Sequence, residues 1–522
     1  MLKSIEFFKA NFLAILVVLF YLLIGFLVIG DYGPIIDSEK NYKEGDANLD
    51  YLLYRKLDPQ IILRQDHGAL VFIISALLKR ILSDKFHILD PIAARHSILI
   101  VLSAVFLFLL YLFVKKHWDS KTAILVAITF ITFPYYFGHS FNNLKDVPLL
   151  IFFSLSIFSF VTWFYNKVNI RYLYSFFIFF GLALSVKINA LLIPVILLIW
   201  LLFLKTNLIK LISDFRKEIA IGSFLVLFIV LLFYEPSFWG VDGKFKLINL
   251  WSNRMQNLIY HPQDKDFNLF SFTQVVYRTP FIILVFTFVG IAVLIKNLKK
   301  SSLNLLLLFW MFIPLIIPCL PYMTHYNGMR HYLVFIVPFL IVSGLGLKES
   351  SLALSTNFNL NEKLLRTLFS IFLVLGNLNA LYVTHPYETT FFNALAGGLK
   401  GAQEKNIMDS NDYWLNSYKA AATWLNKYAK HNSNVFTLAL VSPTIFPWVN
   451  ILELSLKRDD IKVVHLTFIE KEELIPGNSY VLFVPFSYLI GHKSLLSNPL
   501  NYKVVHKIKS QDGEILTIYY KK

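Results

Sequence analysis

The chain has 522 residues, 56% hydrophobic and 16% charged. With a mean hydropathy of +0.59, it is far more apolar than a soluble domain, where about 45–50% apolar and about 25% charged residues are usual. The net charge of +16 has no soluble basic face to sit on, which argues against a nucleic-acid binder and for Lys and Arg held in cytoplasmic loops. The single cysteine, Cys319, rules out an intrachain disulfide and a Cys-based zinc site.

Apolar windows predict eleven spans, at 8–30, 91–114, 121–138, 147–165, 171–186, 188–204, 218–234, 277–295, 303–321, 331–347 and 365–384. Each approaches the roughly 17–25 residues that a helix needs to cross a bilayer. Residues 8–30 are too long and too uniformly apolar for a cleaved signal peptide, and read as a retained first span. The apolar piece 69–82 is short and carries Lys79 and Arg80, which fits an interfacial or re-entrant helix.

Loop charges set the expected orientation. With Lys3 and Lys9 inside, the even connections fall inside too, and every one is basic: Lys115, Lys116 and Lys121; Lys167 and Arg171; Lys205, Lys210, Arg216 and Lys217; Lys296, Lys299 and Lys300; Lys348, Lys363 and Arg366. This is the positive-inside pattern. It predicts a multi-pass plasma (inner) membrane protein with a cytoplasmic N-terminus.

Outside lies the stretch 31–66, which holds eight of the 33 acids: Asp31, Asp37, Glu39, Glu44, Asp46, Asp50, Asp58 and Asp66. Four polar clusters share that face. They are HSFNNLKDVP with Lys145 and Asp146, SVKIN with Lys187 and Asn189, PYMTHYNGMRHY with His325, Tyr326, Arg330 and His331, and the pair Arg95–His96. Ionisable groups near the hydrocarbon are costly and mark function by default. Bland readings stand beside this one. Lys145 and Lys187 are also placed to snorkel to headgroups, and Arg95 and Arg330 to form structural ion pairs with the first-loop acids. Together the clusters suit one chemistry, with a carboxylate to deprotonate an acceptor hydroxyl and cations to hold a lipid-borne phosphate.

From His385 onward, apolar and polar residues alternate and no run spans a bilayer. Strands are predicted at Val435–Val441, Ile461–Phe468, Tyr480–Pro485 and Ile515–Tyr520, and an amphipathic helix over 412–430 with Trp414, Tyr418, Ala421 and Leu425 on one side. The chain therefore divides into a membrane domain, 1–384, with interfacial helices in its first outer loop (31–90), and an extracytoplasmic α/β or α+β domain, 385–522.

The acids directly after span one, KDVP after span three, YNGMRHYLVFIVP, and HPYETTFFNALAGGLKGA…DYWLNSYKAAATWLN resemble the GT-C glycosyltransferases. The likeness is to the bacterial branch related to protein O-mannosyltransferases and the lipid A aminoarabinose transferase, and it extends to about residue 426. It implies a GT-C-like fold, a polyprenyl-phosphate-linked sugar donor and inverting, single-displacement transfer to a lipid, glycan or protein acceptor. It also implies a base at the first acid after span one. In that family the position is Asp-Glu, whereas here IIDSEKNY places Ser38 between Asp37 and Glu39. Asp37 is then the first choice, with Glu39 or Asp46 behind it. Asp146 matches the acid after span three, which positions the acceptor or a metal. Arg330, Lys187 and Arg95, grouped with Lys145 and His331, would hold the donor phosphate.

Asp37, Asp46, Asp146 and His331 are candidate ligands for Mg²⁺ or Mn²⁺. The abundance of cations equally allows transfer without a metal. The HPYETTFFNALAGG segment reads either as a domain linker turning at Gly397–Gly398 or as the acceptor-groove rim with Tyr387 and Asn393. Tyr413 and Trp414 suit sugar stacking or plain packing. Competing classes are a transporter or flippase of lipid-linked glycans, which would show repeats and midplane charge, and a polysaccharide polymerase or ligase, which would carry a large late outer loop.

Overall fold

A computed structural model describes residues 2–56, 58, 67–167, 169–234, 266–323, 327–438, 451–466, 475–485 and 502–522. Asp66, His325 and Tyr326, named above, lie outside them. The architecture is mostly helical with a small C-terminal sheet.

All eleven apolar windows fall on helices. Among the described residues seven helices are long and apolar enough to cross a membrane, or eight if the bent pair Ile188–Phe203 and Leu208–Asp214 counts as one span. The windows at 121–138, 171–186 and 277–295 give shorter apolar helices instead. A helix of 13 residues, Ser120–Thr132 (α5), rises only about 20 Å against a hydrocarbon core of about 30 Å. Pro134 causes the break. Phe133 is extended before it, and a separate short helix, Pro134–His139 (α6), follows, as expected where proline removes a donor and crowds the preceding turn. Pro280 acts similarly. It splits the expected span at 277 into Phe270–Arg278 (α12) and Phe281–Lys296 (α13).

Burial ranks the helices. The window of Asp146–Tyr165 (α7) is 94% buried and that of Arg216–Tyr234 (α11) only 17%. A helix apolar all round must be enclosed, so α7 is the central post and α11 faces the surroundings. The helix α13 lies against Ile336–Phe358 (α15) so closely that a Cβ on Gly346 would sit 1.8 Å from the Phe286 carbonyl oxygen. Small residues let such backbones meet.

The first loop folds as the helix Ser38–Tyr54 (α2), and Leu70–Leu78 (α3) continues in wider turns through Lys79–Lys85. Pro91–His117 (α4) opens with Asp90 accepting from the Ile92 and Ala93 amides and closes on Lys115, Lys116 and His117, which suits the helix dipole at both ends.

The C-terminal sheet has strands Asn434–Leu438 (β1), Lys462–Leu466 (β2), Ser479–Phe483 (β3), Tyr502–Ser510 (β4) and Gly513–Lys521 (β5), in the order β2-β1-β3-β5-β4. β1 runs parallel to β2 and β3, while β5 is antiparallel to β3 and β4. The amphipathic helix is shorter than expected, Tyr418–Tyr428 (α18). Residues 412–417 form turns instead: Leu415 takes a φ of +62°, and the Asp412 carboxylate accepts from the Ser417 amide at 2.7 Å and the Asn416 side chain at 3.0 Å. Trp414 is therefore not on that helix face.

Candidate active site at the edge of the helical domain

Asp37 stands immediately before α2, at the point where the chain leaves the first span. Its carboxylate lies 2.8 Å from Lys145 Nζ and 3.1 Å from Arg330 Nη1. Burial alone would raise its pKa, but the two cations overcome burial and hold it well below the usual carboxylate range. Arg330 begins the turn that leads into α15, and its guanidinium packs 4.7 Å from the Trp414 ring centre. Trp414 is fully buried and meets His139 edge-on at 4.8 Å. Its carbonyl accepts from the Ile36 amide at 3.2 Å, which pins the residue before Asp37.

A second pair lies beside the first. Asp146, the first residue of α7, is 1% exposed and 2.7 Å from Lys187 Nζ. Asn143 donates to its other oxygen at 3.0 Å and accepts from its backbone amide at 2.8 Å. The buried carboxylate is thus held on both oxygens, as burial of a charge requires. Arg330 and His331 are among the groups acting electrostatically on Asp146, so the two pairs share one field. Lys145, Lys187 and Arg330 against Asp37 and Asp146 leave one net positive charge. That suits a phosphate dianion better than a neutral guest.

The remaining candidates are placed elsewhere. Asp46 pairs with Arg95 at 2.6 Å, and Arg95 also packs 4.7 Å from the Tyr42 ring centre. Asp50 binds Arg80 at 2.5 Å. These contacts fix α2 to α4 and to the turns after α3. Nine residues of helix separate Asp46 from Asp37 by about 13 Å, so one cation cluster cannot serve both. Glu39 pairs with Lys43 one turn on, at 2.7 Å. Among the described residues no three His, Cys, Asp or Glu side chains are grouped to hold a metal ion. The proposed ligand set of Asp37, Asp46, Asp146 and His331 is therefore not assembled. The length of α2 carries Asp46 away, and Asp37 and Asp146 are each engaged by a cation.

Asn393 is 3% exposed, and its amide donates to the Val276 and Thr279 carbonyls at 2.6 and 2.7 Å. It thereby secures the junction of α12 and α13. Tyr387 is partly buried against the core. Both residues belong to a segment, 387–417, that is stitched into the helical domain. Asn142 donates to Asn416 at 2.8 Å, and the Tyr135 and Tyr413 hydroxyls are 2.5 Å apart. Arg278, fully buried, donates to the Thr389 and Asp409 carbonyls at 2.6 and 2.5 Å. The Asp409 carboxylate in turn accepts from the Gly328 amide at 2.8 Å. Gly328 has a φ of +58°, and a Cβ there would lie 2.6 Å from the Tyr135 hydroxyl, so the turn that delivers Arg330 requires glycine.

Sequence reasoning missed Arg278, Asp409 and His67. Burial, with Lys145 and Lys187 nearby, holds the His67 imidazole well below the usual His range, so it is neutral at pH 7 beside the cluster. A lone Arg278 just before a Pro-started apolar helix was the available signal for the first. Nothing in the sequence singled out the other two.

The fold is that of a multi-pass membrane protein with a cluster of cations and carboxylates at one end of its helices. Residues 90–234 match the family model described as dolichyl-phosphate-mannose-protein mannosyltransferase. The chain is similar in structure to ArnT from Cupriavidus metallidurans in the apo state, with a TM-score of 0.53, 10% identity and 97% of each chain covered. The same protein bound to undecaprenyl phosphate gives a TM-score of 0.51 at 10% identity, covering 98% of each chain. The apo oligosaccharyltransferase of Archaeoglobus fulgidus gives 0.50 at 13% identity, over 90% of this chain and 69% of that one. No curated protein matches the sequence.

Proposed function

We propose that this chain is a glycosyltransferase that moves a sugar from a polyprenyl-phosphate donor to an acceptor at the outer face of the membrane. The observation behind this reading is that Asp37 shares Lys145 and Arg330. A donor phosphate entering the cluster competes with Asp37 for these cations. Once they turn to the phosphate, the carboxylate loses what depresses its pKa, and its burial makes it a stronger base. Asp37 then takes the acceptor hydroxyl proton as the acceptor oxygen bonds to the anomeric carbon. The carbon–oxygen bond to phosphate breaks, its electron pair leaves with the lipid phosphate, and Lys145, Arg330 and Lys187 stabilise that charge. One displacement inverts the anomeric centre.

The fold likeness to a protein that binds undecaprenyl phosphate supports a lipid-phosphate donor. Asp146 serves to hold Lys187 and Asn143 in place. The basic connections favour a cytoplasmic N-terminus, and eleven crossings of a 1–384 catalytic domain would then leave the site and the 385–522 domain outside. Incubating purified protein with a panel of polyprenyl-phosphate sugars tests the reading. Release of free polyprenyl phosphate with an inverted glycoside is expected, and translocation of the donor with no covalent transfer would favour a flippase.

A further inference from the structure

A groove of about 600 Å³ opens between the first span, α5 and the helix Glu362–Thr384 (α16). Its walls are apolar, with Leu13, Ile124, Ile128, Ile371 and Leu375 among them, and Lys121, Lys363 and Arg366 stand at one end. It is separate from the carboxylate site. The cations belong to the first turns of α5 and α16, whereas the opposite ends of these segments lead to His139 and to His385 beside Asp31. The length of α16, 23 residues, puts about 35 Å between the two ends.

The polar end is cationic, not merely wet. Among the described residues no carboxylate lines the groove. Arg366 is 8% exposed and fixed by hydrogen bonds to Asp119 at 2.9 Å and Thr122 at 2.6 Å. Two acids stand near this end, Asp119, which is shared with Lys348 at 3.1 Å, and Glu362, which precedes Lys363 in the first turn of α16; neither forms an ion pair with Lys121 or Lys363 among the described residues. The N-terminal ends of α5 and α16 add their partial positive charge. An apolar trough closed at one end by an excess of cations matches an acyl chain topped by a phosphate, and basic pockets between helices are known lipid-headgroup sites.

We propose that this groove binds one anionic phospholipid of the bilayer. Its phosphate lies against Lys121, Lys363 and Arg366, and an acyl chain lies along Ile128 and Ile371 toward Leu375. The site is distinct from the donor site and does not depend on the proposed transfer reaction.

The test uses full-length protein in nanodiscs of equal phosphatidylglycerol and phosphatidylcholine, followed by native mass spectrometry of the lipid retained after release. Wild-type protein is expected to retain phosphatidylglycerol about thirtyfold over phosphatidylcholine, the effect of two lysines at a membrane surface. The double variant Lys121→Gln/Lys363→Gln should bring the ratio close to one, and Leu375→Trp, which fills the trough, should lower retention of both lipids. Equal retention by the wild type overturns the proposal without reference to any variant, as does undiminished enrichment in the double variant. Displacement of the retained lipid by added undecaprenyl phosphate also overturns it, since the groove would then be a second donor site.

Discussion

The Asp37 carboxylate and the Lys145 ammonium meet at 2.8 Å, the first from the entry to α2 and the second from the turn that begins α7. This contact, completed by Arg330, ties the acid-rich loop to two cations from distant segments, and in the proposed transfer it would set the base against the phosphate clamp.

Asp37→Asn removes the base but also frees both cations. Transfer should fall by about 10²–10⁴-fold, the usual worth of a general base, while donor affinity stays the same or tightens. Turnover assays with a direct binding measurement on the same preparation check this. Retained activity would overturn the assignment, and so would weakened donor binding.

Replacing Arg330 or Lys145 with Ala should weaken donor binding by roughly 10–100-fold, consistent with about 1.5–3 kcal/mol for a hydrogen bond to a charged group. Arg330→Lys should recover only part of the loss, since lysine lacks the planar fork that lies over Trp414. The dissociation constant for a polyprenyl phosphate decides the matter.

Asp146→Ala leaves Lys187 buried and unpaired, and should destabilise the protein by about 3–5 kcal/mol. Asp146→Ala/Lys187→Met should recover much of that stability without restoring transfer. Thermal unfolding in detergent reads the first outcome and turnover the second.

The His385 imidazole lies between Glu388 at 2.8 Å and Asp31 at 3.0 Å, and Tyr32 donates to the same Glu388 oxygen at 2.7 Å. The hydrogen bond to Glu388 outweighs burial and, with Asp31, raises the His385 pKa to about 9. A group raised in the folded state stabilises fully below its unfolded value of about 6.5, and that contribution is lost as pH climbs through about 9. Thermal stability should therefore decline from pH 7 to pH 10, and His385→Gln should flatten the decline.

Transfer should persist in EDTA. Of the candidate metal ligands, Asp46 is drawn off to Arg95, while Asp37 and Asp146 are each paired with a lysine, and Lys145, Lys187 and Arg330 can supply the charge that a divalent cation otherwise would. Loss of activity on chelation, restored by Mg²⁺ or Mn²⁺, would overturn this expectation.

The sequence by itself determined the membrane class, roughly where the apolar helices fall and the residue types of the candidate site. Hydrophobic length and loop charge are one-dimensional properties, read directly along the chain. It also located Asp37, Asp146, Lys187 and Arg330, because charged groups at span ends stand out against 56% hydrophobic residues. What it left open was pairing. Asp37 and Asp46 are equivalent as letters, and only the rise of α2 sends one to Lys145 and Arg330 and the other to Arg95. The breaks at Pro134 and Pro280 were visible as prolines, but their effect on the flanking helices depended on backbone packing. The HPYETTFFNALAGG segment allowed either a linker or a groove rim, and tertiary hydrogen bonds from Arg278 and Asn393 stitch it into the helical domain. Tertiary structure alone decided which acid faces which cation, because contacts between distant segments depend on where whole helices sit.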